Sequence, residues 1–274
     1  MKTLVVSGGT SGIGEALAHK YLKRGDQVVV IGPNAEKGRK FLATAEGLGA
    51  GERAFFLPAD LSLVSENERI IGDIRENFPA VDALVLCARF FRSHRRVTSE
   101  GFEHNFALYY LSRFLLGHGL LDLLEKAPEP VIVNVAGPGV EAGQIHWDDL
   151  GLKAGYDGWG AMFQGGKLNN LLGVAFSLQG RDHRTRYVLN FPGGTATGFA
   201  GEFDPATAAH VKEMLRFAKP VEAGIVPIVA AIDSPPAEPL SAFFEGRRLD
   251  LRHHSFDPED ARRLDALTRK LLAG

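Results

Sequence analysis

Apolar runs rich in branched residues recur at Thr3–Val6, Gln27–Ile31, Ala54–Pro58, Ala83–Leu86, Val131–Val135 and Arg186–Asn190, each followed by a stretch of helical spacing. Continuous rather than alternating hydrophobicity suits strands buried on both faces, as in a parallel sheet covered by helices. The βαβα succession predicts an α/β fold, a doubly wound parallel sheet in a single domain. Helices are expected at Gly12–Arg24, Ala35–Leu48, Ser62–Glu76, one long helix across Ser99–Lys126, and Gly160–Gln179. Pro33, Pro79, Pro128 and Pro192 fall between elements, where a missing N–H costs little. After Asn190 the pattern changes, and residues 194–220 read as a loop and a helix forming a lid-like substrate segment over a cleft. A helix at Pro220–Ile232, a short strand at Ser241–Phe244 and a C-terminal helix follow. The last has Asp257 as N-cap and Pro258 at its first position.

With 274 residues, 45% of them hydrophobic, the chain can bury a sizeable core. A formal net charge of −2 gives no reason to expect nucleic acid or an anionic membrane as partner, and favours a small molecule. The single cysteine, Cys87, rules out an internal disulfide, reads as a small buried apolar residue, and fits a reducing, cytoplasmic setting. The start MKTLVVSGG reads as neither signal peptide nor anchor, and no run approaches the roughly 20 apolar residues of a spanning helix. No metal constellation stands out. His253 and His254 are adjacent, so in a strand they point to opposite faces and read as surface residues.

Candidate chemistry begins directly after the first strand, with SGGTSGIG, Ser7 to Gly14. Gly8, Gly12 and Gly14 let the backbone turn tightly and approach a pyrophosphate; Thr10, Ser11 and Ile13 complete the turn into the helix, whose free N–H groups favour an anion. The spacing Gly-x-x-x-Gly-x-Gly, backed by the βαβ series, resembles the short-chain dehydrogenase/reductase superfamily across nearly the whole chain, which implies a Rossmann-like fold. The resemblance implies further roles. Asp60 and Leu61 would hold the adenine, Asn105 would be the helix asparagine of the catalytic tetrad, and Lys167 the lysine of Tyr-x-x-x-Lys. Pro192, Gly193, Thr195 and Thr197 would cradle the nicotinamide carboxamide, and Ala88 with Arg89 occupies the place of the family's Ala-Gly beside the cofactor. The stretches IHWDDL and KLNN are similar to the retinol dehydrogenase and protochlorophyllide reductase branch. The second strand ends without an acid before Glu36, while Asn34, Lys37, Arg39 and Lys40 lie near its end; NADPH is preferred over NADH. The charges of Lys37, Arg39 and Lys40 also fit a solvated helix face.

Two family hydroxyls are missing. The resemblance puts Gly137 where the family has its serine and Phe163 where it has its tyrosine, so neither can polarise a carbonyl or donate a proton. In that respect the chain resembles ketoreductases of aromatic polyketide antibiotic pathways of the simocyclinone 7-ketoreductase type. Gly137, Gly165 and Gly166, with Phe163, Trp159 and Met162, leave room for a flat apolar substrate, or serve close helix packing. Tyr156 and His146 fall in the intervening loop that borders the substrate in the family; packing of the one ring and exposure of the other are the simpler readings. Arg89 either touches the cofactor or an acidic substrate group, or joins Arg92, Arg95 and Arg96 in a basic surface loop.

These readings lead to an NADPH-dependent ketoreductase acting on a bulky aromatic ketone without a catalytic tyrosine. Lys167 and Asn105 would support cofactor and water, and the proton would come from water or a substrate hydroxyl. Two alternatives are an NADP-binding pseudoenzyme and a non-redox cyclase or dehydratase on the same scaffold. The superfamily leaves both a monomer and a homo-oligomer open.

Overall fold

The computed structural model describes residues 1–179 and 183–273. Its elements run β1 (Thr3–Ser7), α1 (Gly12–Lys23), β2 (Gln27–Gly32), α2 (Ala35–Gly47), β3 (Ala54–Pro58), α3 (Val64–Asn77), β4 (Ala83–Leu86) and β5 (Phe91–Arg92). There follow α4 (His104–Phe106), α5 (Ser112–Gly119), α6 (Leu121–Leu124), β6 (Val131–Val135), α7 (Gly158–Gln179), β7 (Arg186–Phe191) and β8 (Gly201–Glu202). The chain ends in α8 (Pro205–Arg216), α9 (Val221–Asp233), β9 (Leu240–Phe244), β10 (Arg247–Arg248) and α10 (Pro258–Ala273).

The main sheet has eight strands in the order β10-β9-β7-β6-β4-β1-β2-β3. It is parallel from β3 to β9, and only β10 pairs antiparallel. Strand order reverses at β1, which lies between β2 and β4, so the carboxyl ends of β1 and β4 open a crevice there. Side chains alternate between the two faces, and both faces are apolar. Leu4, Val6, Val28, Val30, Val131 and Val133 point to one core, under α1, α2 and α9. Val5, Val29, Ile31, Leu84 and Ile132 point to the other, under α3, α5 and α7. Each fully buried aliphatic side chain contributes about 1.5–3 kcal/mol, so the runs seen in the sequence are the fold's main support.

The doubly wound sheet matches the expectation from hydrophobic runs, as do most element bounds to within two residues. The long helix expected across Ser99–Lys126 does not form as one piece. The chain makes a bridge between Val97 and Glu103 and starts to coil only at His104, where Glu103 accepts hydrogen bonds from the N–H groups of Asn105 and Phe106. It then widens into a π-turn at Ala107–Leu111 and stops at Gly119. His253 and His254 are likewise not in a strand. They enter a short 3-10 turn, their rings lie 4.0 Å apart, and both face Glu141. A two-stranded sheet of β5 and β8 was not visible in the sequence, because two residues carry no period.

Candidate active site

A cavity of about 1170 Å³ opens at the carboxyl ends of β1, β4, β6 and β7. One end is backbone: Gly8, Ser11, Gly12, Ile13 and Gly14 line it, with Ala88 opposite. Gly12 adopts φ 56°, and a Cβ there would fall 2.9 Å from Thr197 Cγ2; a side chain would both strain the turn and strike the far wall. Ser11 precedes α1 without a side-chain cap, so the first N–H groups of the helix are left for an anion. Lys37 stands at the rim of the same end. This cradle fits the diphosphate of a dinucleotide, and Lys37 fits an additional phosphate.

The middle of the cavity carries Lys167, Gly137, Pro192, Gly193, Thr195 and Thr197. Lys167 is half-buried and among the described residues forms no ion pair. Its helix, α7, is fixed from beneath by a buried amide network. Asn169 Nδ2 donates to the carbonyls of Tyr109 and Gly165, both at 2.7 Å, and Asn134 Nδ2 donates to Asn169 Oδ1 and to the Tyr187 hydroxyl. Arg113, fully buried, donates to Asn134 Oδ1 and to the carbonyls of Val135 (2.9 Å) and Ala88 (3.1 Å). The first asparagine of KLNN, Asn169, is thus what couples the lysine's helix to β6 and to the π-turn.

The other end is aromatic. Trp159, Phe163 and Phe199 line it with Met162, His210, Met214 and Phe217. Trp159 lies 6.3 Å from both Phe163 and Phe199 and meets His210 edge-on at 5.2 Å. The segment 194–219 forms one wall, tied at its base where Ala196 N–H donates to Lys219 O and Lys219 N–H to Gly194 O. Asp204 caps α8 by accepting from Thr207 N–H, which holds His210 and Met214 toward the cavity. Cys87 also lines the cavity rather than sitting wholly inside; burial pushes its thiol up to about 12, so it stays protonated.

Not every residue expected at the site reaches it. Asn105 is buried away from the cavity, its amide donating to Ala161 O at 2.8 Å. The residue of that helix that does line the cavity is Tyr109, one turn on, where the π-turn rotates the chain. The Tyr109 carbonyl, freed by the wide turn, is taken by Asn169. Tyr156 is also turned away, its hydroxyl donating to Arg92 O at 3.3 Å; burial and the neighbouring Glu103 raise its pKa. Asn34 is the N-cap of α2, accepting from Lys37 N–H at 2.9 Å, which explains its position without a ligand. Thr10 is buried behind the turn against Gly32, Leu61 is core, and Asp60 accepts from Ser62 N–H and Oγ. None of these four lines the cavity. Arg92 is buried and ion-paired with Glu202, so the basic-loop reading fails for it. His146, Arg39 and Lys40 are exposed.

The three glycines of the substrate end divide. A Cβ on Gly165 would strike Tyr109 Cδ1 at 2.5 Å, so that glycine makes room for the Tyr109 ring. Gly166 faces open space and Gly137 meets only Val140 at 3.6 Å; both line the cavity. The aromatic wall residues Phe199, His210 and Phe217 were not singled out, although they fall in the lid-like segment expected at 194–220: Phe199 and Phe217 lie outside its helix, and for His210 the sequence does not say which face of α8 meets the cavity.

The short chain dehydrogenase family matches residues 2–148, and the chain belongs to that family. An NmrA-like family domain-containing oxidoreductase, notO, of Aspergillus sp. (strain MF297-2) is 31% identical over 171 residues, 60% of this chain and 52% of that one. Retinol dehydrogenase 13 of Mus musculus is 30% identical over 149 residues, 54% and 45%. The match spans about half the length of these curated relatives. Among solved structures, a short chain dehydrogenase from Burkholderia cenocepacia J2315 in complex with NADP has a TM-score of 0.68 at 16% identity, over 89% of this chain and 96% of that one. A short-chain dehydrogenase from Streptomyces avermitilis has a TM-score of 0.65 at 18% identity, over 99% and 95%. At such identities these show the fold.

Proposed function

We propose that the protein is an NADPH-dependent ketoreductase for a bulky, flat aromatic ketone of polyketide type, working without the family's serine and tyrosine. The observation that carries this reading is the single cavity itself. A glycine cradle at a helix start, Lys167 and an aromatic chamber follow one another along it, with room for a dinucleotide and a second ligand. Relatives named retinol dehydrogenase and polyprenol dehydrogenase, and a fold relative in complex with NADP, support a nicotinamide cofactor and an alcohol–carbonyl couple.

In this reading Gly8, Gly12 and Gly14 bring the backbone to the diphosphate, Lys37 meets the ribose phosphate, and Lys167 holds the nicotinamide ribose. Pro192, Gly193, Thr195 and Thr197 face the carboxamide, and the segment 194–220 closes over the substrate. The cofactor, when bound, supplies the hydride. Gly137 and Phe163 supply no proton, so it comes from water or from a hydroxyl beside the carbonyl; a missing general acid costs about 10²–10⁴-fold, which an activated ketone tolerates. The lack of both hydroxyls also favours a second reading, an NADP-binding sensor or scaffold that keeps the cradle without turnover. A cytoplasmic location belongs to the proposal.

The test is titration of the purified protein with NADPH and with NADH, followed by nicotinamide fluorescence. The reading expects NADPH to bind at least ten times more tightly than NADH. Equal affinity would remove the assigned role of Lys37, and no binding of either would remove the reductase.

A further inference from the structure

Among the described residues Arg89 is the one arginine in the cavity wall, and none of them gives it an acidic partner. Its guanidinium lies 4.3 Å from the centre of the Phe199 ring, and Nη1 approaches Met162 Sδ at 3.1 Å. Burial works against its charge, and no described carboxylate offsets this. A ring face and a thioether are weak replacements for water around a cation, so the site is electrostatically incomplete. Tyr109 adds a second unmet group. It is 6% exposed, lines the same cavity, and its hydroxyl has no hydrogen-bond partner among the described residues. Arg113 sits over its ring at 4.4 Å, and its two terminal nitrogens donate to oxygens below. Gly165 is what permits the ring there at all. Beyond Lys167 in the middle of the cavity, one further cation and one hydroxyl therefore face the chamber of Trp159, Phe163, Phe199, Met162 and His210.

We infer that Arg89 and Tyr109 form a recognition site for an anionic group, a carboxylate or an acidic enolate, carried by a flat aromatic ligand. The inference names the substrate class of the proposed reductase and rests on that reading for the ligand's being a substrate. Anionic oxygen could also come from the cofactor's diphosphate. The reach of Arg89 toward Phe199 and Met162, both at the aromatic end, favours the ligand.

Isothermal titration with 2-naphthoate, with its neutral analogue 2-naphthamide and with NADP⁺ separates the sources, using the wild type, Arg89→Met, Arg89→Lys and Tyr109→Phe, each checked for an unchanged thermal transition. Naphthoate should bind the wild type more tightly than naphthamide. Arg89→Met should weaken naphthoate about 10–100-fold, as for a lost charged hydrogen bond, with Arg89→Lys in between. Tyr109→Phe should weaken it about 2–10-fold. Naphthamide and NADP⁺ should change less than about threefold in every variant. Naphthoate binding no tighter than naphthamide would overturn the inference. A loss confined to NADP⁺ in Arg89→Met would also overturn it, and give the guanidinium to the diphosphate. Charge-selective naphthoate binding by a protein that ignores NADP⁺ would support the anion site while ending the reductase reading.

Discussion

The two ends of the cavity are built on different terms. The nucleotide end is made of backbone at the edge of the regular sheet, between β1, α1 and β4, and lies within the residues 2–148 that match the family. The aromatic end takes most of its side chains from α7 and from the segment 194–219 with α8, outside that match, with Arg89 and Tyr109 reaching it from within the match. A phosphate is recognised by N–H groups that any sequence of glycines can present, so that end is carried by chain direction and turn geometry. A particular ketone is recognised by which side chains point inward, and these are free to change while the fold stays. Under the proposed function, binding at the glycine end and binding at the aromatic end are therefore separable, and substitutions at each end should have separate effects.

The largest effect is expected at the turn. Gly12→Val forces a branched side chain into a positive φ and against Thr197, and should reduce NADPH affinity more than 100-fold, given about 1–3 kcal/mol of strain plus the blocked approach. Fluorescence titration reads it, and an unchanged affinity would place the cofactor elsewhere. Next is Lys167→Ala, which should weaken NADPH about 10–100-fold while leaving naphthoate binding within threefold. Equal loss of both ligands would mean the two ends are not separable.

Stability offers the third contrast. Burial lowers the pKa of His104 and of His118 to about 4, so both stay neutral in the folded protein where the unfolded chain would already be protonated. At these two groups the unfolded state binds more protons between about pH 6.5 and 4, so their contribution to stability falls as pH falls through that window and does not change above it. About 2 kcal/mol for each histidine should appear as a drop in Tm between pH 7 and pH 4.5, and His118→Gln should remove part of the slope. A Tm independent of pH there would contradict the buried, neutral assignment. Asn169→Ala comes next. It removes one of the two acceptors of Asn134 Nδ2 and leaves the carbonyl of Tyr109 without its side-chain donor, and should cost about 1–3 kcal/mol in chemical unfolding together with a loosened Lys167.

The smallest effect belongs to Phe163→Tyr. A proton drawn from water or the substrate predicts a gain in turnover below about tenfold, since the serine at position 137 is still missing. A gain of a hundredfold would show a conventional enzyme short of one hydroxyl.

Most of the sheet was legible because buried parallel strands are continuous apolar runs, and Ala54–Pro58, Ala83–Leu86 and Val131–Val135 form strands with those bounds. The glycine turn and Lys167 were legible because their spacing carries a mechanism. Asn105 and Tyr109 show where legibility ends. Four residues apart, they share one helical face by period, and only the π-turn decides that Tyr109 reaches the cavity while Asn105 spends its amide on Ala161. Tyr156 and Phe199 fail for a related reason: each sits in a loop whose path is set by distant contacts, with Arg92 O in one case and the β5–β8 pairing in the other.

In the proposed function, this cavity transfers hydride to an aromatic carbonyl without a tyrosine at position 163. The most direct measurement is label transfer from NADPH deuterated at one face of C4, incubated with the protein and a panel of aromatic ketones that includes acidic ones. Deuterium should appear at the carbinol carbon of a product, from one cofactor face, preferentially for ketones bearing an anionic group. NADPH that binds tightly and never passes its label to any ketone would contradict it.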